Sequence, residues 1–145
     1  MADNIKKGSV NNTGQNRKKN YKRTSEEHLR QPRQPKKVER GDNIIYVSSK
    51  TNIKANLERC QKLINNKEDE IIIHCLGAAI QRGILLALQI CENNITFKIH
   101  TNTLTTELID DLEPVIDDAD YEIQKRYNSA LRIRVFNTNP LDKQK

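Results

Sequence analysis

Hydrophobic positions along this chain fall into two regimes. From residue 1 to about residue 42 they are scattered among Asn, Gln, Lys and Arg without a period; from residue 43 onward they come in short runs. Ile44-Ile45-Tyr46-Val47 is β-branched and aromatic, which predicts a first strand. Positions 53, 57, 60 and 64 then repeat at helical spacing as a narrow apolar stripe, with Ser49 or Thr51 available as a cap. Asn65-Asn66-Lys67-Glu68-Asp69 closes that helix as a polar turn. Glu70-Ile71-Ile72-Ile73-His74-Cys75 predicts a second strand, apolar enough for burial on both faces. Leu76-Gly77 turns the chain into a second helix from about Ala78 to Cys91. Residues 95–100 and 131–136 alternate with period two, predicting two more strands and the order βαβαββ.

Two strands joined through a helix are expected to be parallel neighbours with a right-handed crossover, and the second helix should share the face of the first. The expected architecture is a two-layer α/β domain over residues 43–137. Residues 1–42 read as a disordered basic tail, since such a composition buries too little surface to offset chain entropy, and residues 138–145 as a short C-terminal tail. Between the third and fourth strands Leu104, Leu108, Ile109 and Leu112 alternate poorly with their acidic neighbours. Strand extension and a short helix are both open there.

Composition sharpens this division. The chain has 145 residues, 30% charged and 35% hydrophobic, no Trp and a formal net charge of +6, enough for one domain at most. Residues 1–42 hold 12 basic and 5 acidic side chains, whereas residues 43–145 hold 13 and 14, so the excess charge lies in the tail. Its run Arg17-Lys18-Lys19-Asn20-Tyr21-Lys22-Arg23 and the later Lys36-Lys37 fit a nuclear-localisation or nucleic-acid-binding patch, and equally a solubilising tail. The first residues lack the apolar stretch of a secretory signal, and no apolar run approaches the ~18 residues of a membrane span, so an intracellular protein is expected. Cys60, Cys75 and Cys91 show no C-x-x-C spacing, which argues against a disulfide framework or a structural zinc site.

The second helix carries the strongest hint of a partner. Projected at about 100° per residue, Ala79, Ile80, Gly83, Ile84, Leu86, Ala87, Leu88, Ile90 and Cys91 share an arc of roughly 200°. Gln81, Arg82, Gln89 and Glu92 occupy the remainder with Ala78 and Leu85. A helix lying on one sheet needs an apolar stripe of only about 100°. An obligate dimer is therefore expected over a monomer with a folded-back tail, with Ile80, Ile84, Leu86, Leu88 and Ile90 at the interface.

Five stretches carry a resemblance: residues 43–51, 57–63, 73–82, 107–114 and 133–136, reading NIIYVSSKT, LERCQKL, IHCLGAAIQR, ELIDDLEP and IRVF. Together, in order over residues 43–136, they resemble the smaller Alba-family protein subunit of eukaryotic ribonuclease P and ribonuclease MRP. That resemblance implies an Alba-like fold and pairing with a larger Alba-like subunit. It also implies that the heterodimer binds a peripheral stem-loop of the catalytic RNA, and that the chemistry belongs to that RNA. On this reading there is no catalytic residue, metal, cofactor, membrane or small-molecule substrate. The work is tRNA 5′-end maturation and pre-rRNA processing in the nucleus and nucleolus. By position, the family's nucleic-acid contacts fall on Lys50, Gly77, Gln81 and Arg82. Where such proteins often carry Gly-x-Gly at the second turn, this chain has Cys75-Leu76-Gly77. The hairpin arm, commonly basic in the wider family, here has eight acids and no base over residues 107–122, so it is not expected to lie along a phosphate backbone.

Further candidates come from placement. Lys54, in the first turn of the first helix, joins Lys50 and Arg82 among loops at one end of a small α/β domain, where ligands are often met. Arg132 and Arg134 alternate with Leu131, Ile133 and Val135, so they emerge opposite the helices, able either to contact RNA or to guard against aggregation. His74 and Cys75 are adjacent in a strand, point to opposite faces and suit structural roles. Gly77 and Gly83 make neither a Walker nor a dinucleotide fingerprint. Glu107, Asp110, Asp111, Glu113, Asp117, Asp118, Asp120 and Glu122 could in principle hold Mg²⁺ for a nuclease. Crowded on one connection, they read better as a solvated acidic loop. The leading expectation is the RNA-binding subunit. The alternatives are a homodimeric Alba-type general nucleic-acid or chromatin binder and a metal-dependent nuclease.

Overall fold

A computed structural model describes residues 22–23 and 27–139; the run from Arg17 to Tyr21 and residues 140–145 lie outside the described residues. The elements are β1 Lys22–Arg23, β2 His28–Pro32, β3 Ile44–Val47, α1 Ile53–Asn65, β4 Glu70–Leu76, α2 Ile80–Asn93, β5 Phe97–Pro114 and β6 Glu122–Asn137, with a 3₁₀ turn at Gly77–Ala79 leading into α2. From β3 to β6 this is the expected βαβαββ order. The strands form one sheet in the order β1-β2-β5-β6-β4-β3. β3 and β4 are parallel, as a helical crossover requires, and β4 and β5 each run antiparallel to β6.

Burial follows the strand period. Ile45 lies beside Ile73, and Ile73 beside Ile133, so three strands contribute one apolar row, each residue at most 1% exposed. Cys60 of α1 and Gly83, Leu86, Ala87 and Ile90 of α2 are buried on the helical side. The α2 positions step by three and four, the stripe expected of a helix lying on a sheet. Gly83 permits close approach, since a Cβ there would stand 2.5 Å from Cys75 Sγ. Cys75 and Cys60 are buried, and burial pushes each thiol up to about 11.

The cap of α1 differs from expectation. Asn52 performs it, its Oδ1 accepting from Lys54 N at 2.9 Å and Ala55 N at 3.4 Å. An N-cap must reach the second and third helical amides, and only the residue directly before Ile53 has that reach. Thr51 instead turns back, its Oγ1 accepting from Ser48 N at 2.8 Å. At the other end, Lys67 N donates to Ile64 O and Glu68 N to Leu63 O, both at 3.0 Å, with Lys67 at φ 66°. This is the left-handed closure that glycine usually makes.

Two larger corrections concern segments read as unstructured. Residues 28–32, assigned above to the tail, form β2 and pair with β5 from Pro114 to Asp110. Residues 107–122, read as a solvated acidic loop, largely belong to the β5–β6 hairpin; of the two readings left open around Leu104–Leu112 strand extension holds, with pairing continuous from Phe97↔Asn137 to Leu112↔Glu122. The physical reason is shared: the acids find their countercharges on other segments. Asp110 is completely buried and accepts from Arg126 Nε at 2.5 Å and Nη2 at 3.1 Å, with Arg30 Nε at 3.7 Å. Asp111 accepts from Arg33 Nε at 2.8 Å and Nη2 at 2.6 Å, and also from the Tyr121 hydroxyl. Those bonds, Arg33 foremost, hold the Asp111 carboxyl down at about 2.

Candidate nucleic-acid interface

The parallel pair ends where Val47 meets Cys75, and both strands turn there toward their helices. Lys50 lies in the Ser48–Thr51 turn, Lys54 in the first turn of α1, and Gln81 and Arg82 at the start of α2; all four are exposed. Arg82 Nη1 donates to Thr51 O at 3.0 Å, fastening the start of α2 to the loop that carries Lys50. The first turn of α2 contains no acid, and its cap residue Ala79 offers no side-chain acceptor. The structure therefore gathers Lys50, Lys54, Gln81 and Arg82 at one end of the sheet, beside a helix end whose amides carry partial positive charge.

Gly77 sits at the same end, with φ +53°. A Cβ there would stand 2.5 Å from Asn128 Nδ2, so the glycine is required by the turn itself and by the neighbouring arm. Departure from Gly-x-Gly at position 75 has its own explanation: Cys75 is a core residue whose thiol donates to Leu131 O at 3.5 Å.

Arg132 and Arg134 do not join this cluster. They emerge from the reverse face of the sheet, as alternation predicts, but each is held by a carboxylate. Arg132 Nε donates to Glu39 Oε1 at 3.0 Å, and Arg134 Nε to Glu70 Oε1 at 2.6 Å, with the Arg134 guanidinium 4.5 Å from the Phe136 ring centroid. Glu39 organises the reverse face. Its Oε2 is hydrogen-bonded to His74 Nε2 at 3.0 Å, its backbone N–H donates to Tyr46 Oη at 3.0 Å, and Tyr46 Oη donates to its carbonyl at 2.6 Å. Tyr46 and His74 stack at 4.9 Å. The His74 bond and then Arg132 hold the Glu39 carboxyl below the usual carboxylate range. Sequence reasoning missed Glu39 because it stands among residues read as a tail, with no local pattern to mark it.

The outer face of α2 is narrower than the projection suggested. Leu86 and Ile90, placed above at an interface, are at most 1% exposed and belong to the core, while Ile80 is half-buried against it. Ile84, Leu85 and Leu88 are 40%, 49% and 53% exposed. The exposed apolar surface thus includes Leu85, which the projection left among polar residues. An arc of apolar positions does not tell which part the sheet takes; only helix rotation does, and here Gly83 sets it by facing Cys75.

Among the described residues no group of three or more His, Cys, Asp or Glu is placed to hold a metal ion, and no helix is long and apolar enough to cross a membrane. Comparison with known proteins decides the family. A family model described as the Rpp20 subunit of nuclear RNase MRP and P matches residues 40–134. The chain belongs to the Rpp20 family. Two relatives named Ribonuclease P protein subunit p20 show the same kinship. The Homo sapiens protein is 42% identical over 121 residues, covering 79% of this chain and 86% of its own. The Drosophila melanogaster protein is 38% identical over 116 residues, covering 78% of this chain and 67% of its own. Among solved structures, Alba from Thermoplasma volcanium matches with TM-score 0.46 and 19% identity over 65% of this chain and 99% of that one. The resemblance read from residues 43–136 is thereby borne out for the Rpp20 family, whose members named here are protein subunits of ribonuclease P.

Proposed function

We propose that this chain is a non-catalytic, RNA-binding protein subunit of ribonuclease P and ribonuclease MRP, paired with a larger Alba-like subunit. On this reading it serves tRNA 5′-end maturation and pre-rRNA processing in the nucleus and nucleolus. The observation that carries the proposal is the Rpp20 family match over residues 40–134. Two features support it. Ile84, Leu85 and Leu88 offer an apolar strip on α2 for a partner subunit. Lys50, Lys54 and Arg82 offer cations at the sheet end for phosphates of a structured RNA, recognised by shape more than by base edges.

The test is purification of the tagged full chain from cells under native conditions, followed by sequencing of bound RNA and mass spectrometry of bound protein. The expected result is the catalytic RNAs of both enzymes together with a second Alba-like protein. A chain recovered as a soluble homodimer with heterogeneous RNA or DNA, or with none, would overturn the proposal.

A further inference from the structure

A second basic surface continues from the loop that carries Lys50: Lys36 and Lys37 line a cavity shared with Ser48, Ser49 and Ala78. Residues 35–41 cross in front of β3, leaving an open cleft of about 990 Å³ lined by Pro35, Lys36, Lys37, Glu39, Arg40, Ile44, Tyr46 and Arg59. Four of these are cations. Glu39 is the acid among them, and its carboxylate is already engaged by His74 and Arg132. Arg59 Nη2 donates to the Asp42 backbone carbonyl at 3.3 Å, which orients the guanidinium without neutralising it. The segment is pinned at its middle by the paired Glu39–Tyr46 bonds, so Lys36, Lys37 and Arg40 stand on a fixed support.

We propose that this cleft binds the phosphodiester backbone of a single RNA strand, through Lys36, Lys37, Arg40 and Arg59. The proposal rests on the RNA-binding reading above and adds a second contact to it. A concavity on the scale of a few nucleotides admits one strand, not a duplex. The aromatic side chain of the cleft offers no platform for a base: Tyr46 is stacked on His74, and Lys37 Nζ stands 5.4 Å from its ring centroid. What remains is charge. Binding here is therefore tolerant of sequence and strongly dependent on salt.

The test is fluorescence anisotropy of fluorescein-labelled oligouridylate and oligoadenylate on the purified full chain, with any copurifying partner, across a KCl series. Lys36→Ala/Lys37→Ala is expected to weaken binding roughly tenfold and to reduce the salt slope by about 1.4, at about 0.7 for each phosphate contact on a single strand. Arg59→Ala should reduce it by about 0.7. Lys36→Arg/Lys37→Arg should restore the slope, and the two homopolymers should bind alike. Because Lys36 and Lys37 are exposed, these variants leave the core intact, which circular dichroism checks.

If Lys50→Ala and Arg82→Ala lose binding while the cleft variants keep the full slope, the cleft assignment is overturned and the RNA-binding reading stands. If the unaltered chain binds neither homopolymer, the cleft assignment is overturned, while the reading as a subunit for a structured RNA stands on its own test. A labelled polyglutamate peptide that binds more tightly than RNA, and is lost in the same variants, would make the cleft a protein-docking site and overturn the proposal.

Discussion

Asp110 lies opposite Gln124 in the hairpin register, yet both of its carboxylate oxygens are bound by Arg126, one diagonal step along β6. The pair is asymmetric: the Asp110 side chain is wholly buried, whereas that of Arg126 is 35% exposed. Removing the arginine strands a buried charge with only Arg30 in reach at 3.7 Å, while neutralising the acid leaves an arginine that can turn to water. Arg126→Met is therefore expected to cost about 3 kcal/mol and Asp110→Asn about 1 kcal/mol in urea unfolding. Equal costs would contradict this account of the arm.

The Glu39 contacts give stability a dependence on pH. Its folded carboxyl titrates below the unfolded value, so the contribution is complete above about pH 4.3 and fades as pH falls through the lower folded value. Urea midpoints of the unaltered chain and Glu39→Gln should differ most near neutral pH and converge on acidification. A constant gap down to about pH 3 would mean the carboxylate charge is not what holds residues 35–41.

Two backbone positions with positive φ predict opposite outcomes. Lys67 occupies the left-handed closing position of α1, so Lys67→Gly should raise stability by up to about 1 kcal/mol. Gly77→Ala should lower it by about 2 kcal/mol, since strain at φ +53° adds to the clash with Asn128. Asn128→Ala in the same chain should recover the steric share alone, visible in thermal melts.

On α2 the buried stripe and the exposed strip separate folding from pairing. Leu86→Ala should destabilise the domain by about 3 kcal/mol through the cavity it leaves. Leu88→Lys should change the stability of the single chain by no more than about 0.5 kcal/mol, yet abolish recovery of the partner subunit in a pull-down. Retention of the partner by Leu88→Lys would move the interface elsewhere.

The βαβαββ order is legible in the sequence because β3, β4 and the two helices bury faces whose period is complete within each segment. The strip at Ile44–Val47 and the stripe at residues 53, 57, 60 and 64 need no distant information. The arm and β2 are illegible for the converse reason. Asp110 and Asp111 look like solvated acids until Arg126, Arg30 and Arg33 are brought beside them, and Arg33 comes from 78 positions away. Glu39 and Arg132 are separated by 93 positions, so neither could be read as half of a pair. Within the candidate site, Lys50 is marked by its place just after a strand and Arg82 by its place at the start of a helix, together with the resemblance. The cleft cations are not so marked, because Arg59 reads as one more polar residue on the outer side of α1.

The sheet order puts β6, the last strand among the described residues, between β5 and β4. A growing polypeptide on the ribosome consequently holds two half-sheets with no seam until residues 131–136 have left the exit tunnel. Loss of those few residues does more than trim an end: it removes the keystone, and everything synthesised before it lacks a shape to keep.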